Sequence, residues 1–377
     1  MQDPMDCQSF RPEFPVTRHY CYLNHAANAP EPLRVVRAVE EYLRDASEAG
    51  TLLEDRWWLK VETARSTLAS FIGASPDELA WVDNVSHAAM IVANGLDWRP
   101  GDKIVGTAGQ FPANIYPWLN LRRHGIEYHM VPARDGLLRT EDILGAIDDR
   151  TRVVAISLVE FFTGQRHEVA RIGARCREKG VLFFVDGIQG VGAIPVDVRA
   201  MNIDFLAFGA QKWMLGPNGV GALYVRRELV ERLHPVTASW LSVPERFDFA
   251  NLEQGYIPEA GRFEGGTGNL MGLVGFAAAL EYFALLGAEP IWETIRGLTD
   301  HLIEGLQSRG YQILSPLAPE ARSGIVGFYH PREAADRLVD RLRDEGIIVA
   351  VRQGAVRVSP HFYNTVAEID WLLEELD

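Results

Sequence analysis

Two apolar runs of this chain each end in a group able to do chemistry. Val181-Leu-Phe-Phe-Val185 stops at Asp186, with Gln189 three residues further on. Ile203-Asp-Phe-Leu-Ala-Phe208 stops at Gly209-Ala-Gln-Lys212-Trp213. Each run reads as a buried strand that delivers a polar side chain just past its end, where open α/β sheets bind ligands. A carboxylate beside a primary amine suits pyridoxal 5'-phosphate (PLP), whose aldehyde needs a lysine and whose ring nitrogen needs an anion to stay protonated. Lysine occurs only at positions 60, 103, 179 and 212, so an amine at a strand end is a selective feature.

The segments Val185-Asp-Gly-Ile-Gln189, Phe208-Gly-Ala-Gln-Lys-Trp213 and Gly265-Gly-Thr-Gly-Asn269 together resemble the class V aminotransferase family of PLP enzymes. The resemblance runs from Tyr22-Leu-Asn-His-Ala-Ala27 to Arg357-Val-Ser-Pro-His-Phe-Tyr-Asn-Thr365. The family includes cysteine desulfurases, kynureninase, isopenicillin N epimerase and several C–S lyases. It implies the PLP-dependent transferase fold type I: an α/β large domain on a mostly parallel seven-stranded sheet, followed by a smaller α+β domain. A homodimer with a shared active site is implied as well.

Lys212 is then the lysine that takes up the cofactor aldehyde. A partly buried site favours its neutral, nucleophilic form. The alternative is a solvated lysine near a turn. Asp186 would face the pyridinium nitrogen, its alternative being a helix N-cap after a strand. By resemblance, Gln189 bonds the cofactor's phenolic oxygen. The phosphate needs N–H and hydroxyl donors at a helix start, and Asp83-Asn-Val-Ser-His87 precedes an apolar helix. Ser86 and the His87 amide are the candidates, joined by Gln211, although Ser86 could be a plain N-cap. Thr267 resembles the residue by which a neighbouring subunit adds a hydroxyl to the same phosphate. Phe111 is the aromatic available to stack on the ring, or else ordinary core. Arg357 resembles the family's substrate-carboxylate arginine, a role that suits a bidentate guanidinium. Arg352 is the second candidate, and Asn24 and His25 of the arm motif are further candidate substrate contacts.

Two departures from the family pattern stand out. The stretch Arg352-Gln-Gly-Ala-Val-Arg357 holds no cysteine, whereas desulfurases need a thiolate there to take sulfur from the substrate. Glu160 occupies a position where relatives often carry an amide near the cofactor oxygen. It could act as a general acid or base, or make a buried ion pair. The glycines of Gly216-Pro-Asn-Gly-Val-Gly221 precede a strand, so they read as a turn and not as a nucleotide fingerprint.

These groups must be positioned by alternating elements. Strands are expected at Glu78–Val82, Lys103–Thr107, Glu127–Val131, Val153–Ser157, Val181–Val185, Phe205–Phe208 and Gly221–Val225, with helical patterns between most of them. Residues 1–29 read as an N-terminal arm packing with the small domain, 30–265 as the large domain and 266–377 as the small one. Val236 to Phe263 is expected to be a long functional loop. A long apolar helix, Leu273 to Leu286, leads into small-domain strands near Ile325–Tyr329, Ile347–Val351 and Val356–Val358.

Composition sets the outer bounds. The 47% hydrophobic and 23% charged content is that of a globular protein. The formal charge of −14 without a basic stripe argues against nucleic acid or an anionic membrane as partner. A cytoplasmic enzyme is the default expectation. Cys7, Cys21 and Cys176 are scattered, so neither a metal site nor a disulfide framework is expected. The expected reaction is C–S β-lyase chemistry on cysteine or an S-conjugated cysteine in secondary metabolism, by analogy with an isopenicillin N epimerase-like branch. Epimerisation, transamination and a decarboxylating or oxidative variant are the alternatives. A non-catalytic PLP-binding relic is the alternative of another class.

Overall fold

The computed structural model describes residues 6–376. A two-residue strand in the arm, β1 (Cys21–Tyr22), precedes a seven-stranded sheet. That sheet comprises β2 (Leu79–Val82), β3 (Lys103–Thr107), β4 (Glu127–Val131), β5 (Thr151–Ser157), β6 (Leu182–Asp186), β7 (Phe205–Gly209) and β8 (Gly221–Val225). Its order is β2-β8-β7-β6-β5-β3-β4, and all its strands except β8 run parallel. All seven strands lie where the sequence predicts them, within two residues at either end.

The alternation along the central strands explains why they read as continuous apolar runs. Val154, Ile156, Phe183, Val185, Leu206 and Phe208 enter the core on one face. Val153, Ala155, Leu182, Phe184, Phe205 and Ala207 enter the core on the other. Both faces of these strands are covered, so neither tolerates a polar residue until the strand ends. Asp186 is the first residue of β6 to break the pattern, at the carboxyl edge of the sheet.

A second sheet, ordered β12-β13-β10-β9, is antiparallel: β9 (Gln312–Ile313), β10 (Val326–Tyr329), β12 (Ala350–Arg352) and β13 (Ala355–Val358). β11 (Ile347–Ile348) pairs in parallel with β1, Cys21 opposite Ile347. The single strand expected over Ile347–Val351 is thus two. Its first half serves the arm and its second half the hairpin, and the chain breaks step at Val349. The arm is also tied down by Gln8, which donates to the carbonyls of Phe362 and Asn364, and by the Arg11–Glu368 ion pair.

The helix expected from Leu273 begins three residues earlier, at Leu270, capped by Asn269 Oδ1 accepting the Gly272 N–H. Apolar on all sides, it packs against helices Leu33–Ala49 and Glu54–Phe71. No single helix is long and apolar enough to cross a membrane among the described residues. The stretch expected as a long loop carries only short turns, at Trp240–Ser242 and Ala260–Phe263.

Candidate active site

The carboxyl ends of the parallel strands open on a cleft of about 360 Å³. Asp186 and Gln189 reach it from β6, Gln211 and Lys212 from the turn after β7, and Phe111 from the loop after β3. Ser86 comes from the helix that follows β2, while Arg352 and Arg357 come from the β12–β13 hairpin. Residues more than 270 positions apart in sequence therefore meet in one cavity, which is what strand ends at one edge of a sheet achieve.

Asp186 is buried, and its Oδ1 accepts the Ile188 N–H at 3.0 Å. Burial pushes its carboxyl up to about 6, against the pull of that N–H and the Lys212 amine and with the Glu160 charge adding to the rise. Lys212 sits 5.6 Å from the centre of the Phe111 ring. Burial lowers its pKa, opposed by Asp186 and helped by Arg357 and Arg352. The amine is thereby brought toward the neutral form that attacks an aldehyde.

Phe111 is half exposed and meets Phe161 edge to face at 5.4 Å, so it stands in the cleft as a flat wall and not in the core. Gln189 is held from both ends. Its Nε2 donates to the Ala26 carbonyl and its Oε1 accepts the Trp213 indole N–H, both at 2.9 Å. One amide hydrogen stays available to the cleft.

Arg357 is the most heavily buried cation of the site. Its Nη1 donates to the Phe161 carbonyl at 2.8 Å, while Nε and Nη2 are buried without a partner. Burial, and then Arg352, lower its pKa to about 9. A guanidinium in that setting lacks an anion. Arg352 folds back, with Nη1 on its neighbour's carbonyl, Val351 O, at 2.7 Å. Between them Gln353 and Gly354 adopt φ of 46° and 81°, the left-handed pair that closes a two-residue hairpin.

Other expected residues lie elsewhere. The helix after β2 is capped by Asn84, whose Oδ1 accepts the His87 N–H at 2.9 Å. That amide is thus already engaged, and the Ser86 hydroxyl is released from capping. The His87 ring faces Asp83 at 3.2 Å. Asn24 and His25, expected to touch substrate, lie behind the cleft. His25 is fully buried, with Nδ1 on Ser359 O at 2.9 Å and Nε2 on the Tyr363 hydroxyl at 2.6 Å. The part of the arm that lines the cleft is Ala26, Ala27 and Asn28. Glu160, left open between proton transfer and an ion pair, is buried and bonded to His167 Nε2 at 2.9 Å. Thr267 lies in a separate cavity of about 220 Å³ with Trp58, Trp81 and His87.

Three polar wall residues escaped the sequence reading: Asn28, Asn84 and Asn218. Asn84 was findable, since an asparagine between a strand and an apolar helix is a good N-cap. Phe161 was missed because nothing local marks its carbonyl as the partner of a distant arginine.

The Aminotransferase class-V family model matches residues 21–372. The chain belongs to the class V aminotransferase family. It is 32% identical to a probable cysteine desulfurase of Methanothermobacter thermautotrophicus, over 99% of this chain and 98% of that protein. Its fold is similar to the apo cysteine desulfurase of Thermococcus onnurineus, with a TM-score of 0.90, 26% identity and coverage of 99% and 98%. It is also similar to the cystine C–S lyase C-DES, solved with its product cysteine persulfide, at a TM-score of 0.89 and 27% identity, covering 96% and 98%. A Lys-to-Ala mutant of C-DES carries glycine covalently linked to its PLP cofactor.

Like the family, this chain is a PLP-dependent enzyme of fold type I. Its cleft fits the cofactor: it offers a depressed lysine, a buried carboxylate, a flat aromatic wall and an arginine with two orphaned donors. Among the described residues, no cluster of His, Cys, Asp and Glu could hold a metal ion.

Proposed function

We propose that this protein is a C–S β-lyase acting on cysteine or an S-conjugated cysteine. In this reading it releases the sulfur on a small-molecule product and never on the protein. The observation that carries it is the thiol-free, two-residue hairpin at Gln353–Gly354, set between the two arginines of the cleft. All three cysteines are buried. Burial raises the Cys7, Cys21 and Cys176 thiols, the last to about 12, so each is a poor thiolate, and none lines the cleft. The similarity to a lyase whose product is cysteine persulfide adds support.

Lys212 and Asp186 would hold the cofactor, whose ring, when bound, accepts the electrons released at the substrate α-carbon. The chain's own residues do the rest. Arg357 would grip the substrate carboxylate through Nε and Nη2, the two donors the protein leaves unpartnered. That grip fixes which bond at the α-carbon can break. Lys212 Nζ would carry the α-proton, its lowered pKa suiting it to act as a base near neutrality. Asp186 would hold the ring-nitrogen proton, and Ser86 would supply a hydroxyl to the phosphate. Phe111 would exclude water from one face.

The reading extends to a homodimer. Thr267 lies away from its own chain's cleft, as expected of a hydroxyl contributed to the site of a second copy.

The test is product analysis. Cysteine conjugates R–S–CH₂–CH(NH₃⁺)–COO⁻ plus water should give the thiol RSH, pyruvate and ammonium in equal amounts. Alanine together with a persulfide trapped on the protein would overturn the proposal and make the enzyme a desulfurase. Racemised substrate or an amino-group acceptor product would point to epimerisation or transamination.

A further inference from the structure

Residues 158–167 form a short hairpin beyond β5, closed by the Val159–Arg166 bridge. At its base the Leu158 N–H donates to Asp186 O at 2.8 Å, the His167 N–H to Leu158 O at 3.0 Å and the Glu160 N–H to Gln165 O at 2.9 Å. Across that base Glu160 Oε1 accepts His167 Nε2–H at 2.9 Å. Both side chains are at most 5% exposed. A buried carboxylate is costly unless bonded, and Oε2 has no partner, so the His167 bond to Oε1 is the one that ties the hairpin's two arms together.

The tip reaches the small domain and the cleft together. Gly164 O accepts the Ser323 hydroxyl at 2.7 Å, and the Arg166 N–H donates to Ala321 O at 2.8 Å. Gly164 has φ of +70°, and a Cβ there would lie 2.5 Å from Ile325 O, so only glycine allows this approach. Residues 321–325 lead straight into β10, whose Gly327 pairs with Arg357. Phe161 at the same tip gives its carbonyl to Arg357 Nη1 and its ring edge to Phe111. The hairpin therefore holds Arg357 from two directions, through the register of its strand and through its guanidinium.

We infer that Glu160 and His167 are a positioning pair: by bracing the 158–167 hairpin they set the angle at which Arg357 meets the substrate carboxylate. The inference rests on the reading of Arg357 as the carboxylate site. It does not depend on which bond the enzyme then breaks. Neither Glu160 nor His167 lines the cleft; the hairpin reaches Arg357 through Phe161, and the Glu160 charge separately helps to raise Asp186.

The test is a spectral titration of the holoenzyme with two probes, glycine and the carboxylate-free amine cysteamine. Glu160→Ala should weaken glycine roughly tenfold and leave cysteamine within about twofold. Glu160→Gln keeps an acceptor for His167 and should restore glycine binding. Should Glu160→Ala fail to fold, Ser323→Ala loosens the same hairpin at its outer end. It should show the same selectivity at roughly two- to fivefold. Equal weakening of both probes, or no selectivity in the folded variant, would overturn the inference. So would a Glu160→Gln enzyme with normal glycine binding and a collapsed kcat, which would make Glu160 a proton carrier. A wild-type holoenzyme that responds to cysteamine but not to glycine would instead sink the Arg357 reading on which the inference stands. Pyruvate assays on the same samples report the C–S lyase reading separately.

Discussion

The indole N–H of Trp213 donates to Gln189 Oε1 at 2.9 Å. Trp213 follows the lysine directly and Gln189 lies three residues past the carboxylate, so one buried bond ties together the two turns that would hold the cofactor from opposite sides. Trp213→Phe keeps the packing and leaves Gln189 Oε1 orphaned. A loss of about 1–3 kcal/mol in unfolding free energy is expected, with weaker cofactor retention. Denaturant melts of the holoenzyme and apoenzyme check both, and an unchanged midpoint in each would remove the bond from this role.

Lys212 is expected to carry the cofactor. Borohydride reduction of the holoenzyme followed by peptide mapping should place the pyridoxyl group on Lys212. Label on Lys60, Lys103 or Lys179 would overturn the site assignment. Burial lowers the amine, so its neutral form prevails from a lower pH than for a free lysine. The rate at which apoenzyme takes up PLP should therefore rise with pH and level off below the usual lysine range. A profile still climbing at pH 10 would contradict this.

Asp186→Ala should harm turnover more than binding. Removing one charge-assisted hydrogen bond costs about 1.5–3 kcal/mol in cofactor affinity, while the electronic role is lost altogether. Equilibrium dialysis against kcat separates the two, and wild-type turnover would exclude Asp186 from the site.

Replacing Cys7, Cys21 and Cys176 together with alanine should leave lyase activity within a few-fold of wild type. The thiols are buried and none lies in the β12–β13 hairpin. Collapse of activity in a correctly folded triple variant would restore a sulfur relay through the protein.

Acid should destabilise this fold through His361. Its Nε2–H donates to Trp213 O at 3.0 Å and its Nδ1 accepts the Phe362 N–H at 2.8 Å. Only the neutral ring satisfies both bonds, and burial lowers its pKa to about 4. The unfolded chain takes up this proton near pH 6.5 and the folded one does not. Stability is therefore complete above that pH and is lost as pH falls toward 4, by on the order of 3 kcal/mol. Melting curves across that window should flatten in His361→Gln, and an unaltered slope would exonerate the residue.

The sheet and its chemistry were legible because central strands covered on both faces must be apolar, and a polar residue is admitted only where they end. Asp186 and Lys212 announce themselves by breaking that rule. Arg357 was legible only through its motif, because its protein partner is the Phe161 carbonyl from a distant part of the chain. Asn24 and His25 misled for the complementary reason. A polar pair in a matching motif looks like a binding element, yet His25 is spent on Ser359 and Tyr363. The two-residue strands β1 and β9 carry too few residues for any periodicity to show.

The pairing of β1 with β11 sets the order in which the protein can become an enzyme. Ala26, Ala27 and Asn28 form part of the cleft wall, and their segment is anchored by Cys21 opposite Ile347 and by Leu23 against Ile348 and Ser359. The first wall of the site is made early in synthesis, and the strand that anchors it follows more than 320 residues later. A seven-stranded sheet can assemble meanwhile, but the pocket closes last, since contacts so distant in sequence form slowly. A nascent or C-terminally clipped chain would then fold much of its core and still offer no finished place for an amino acid.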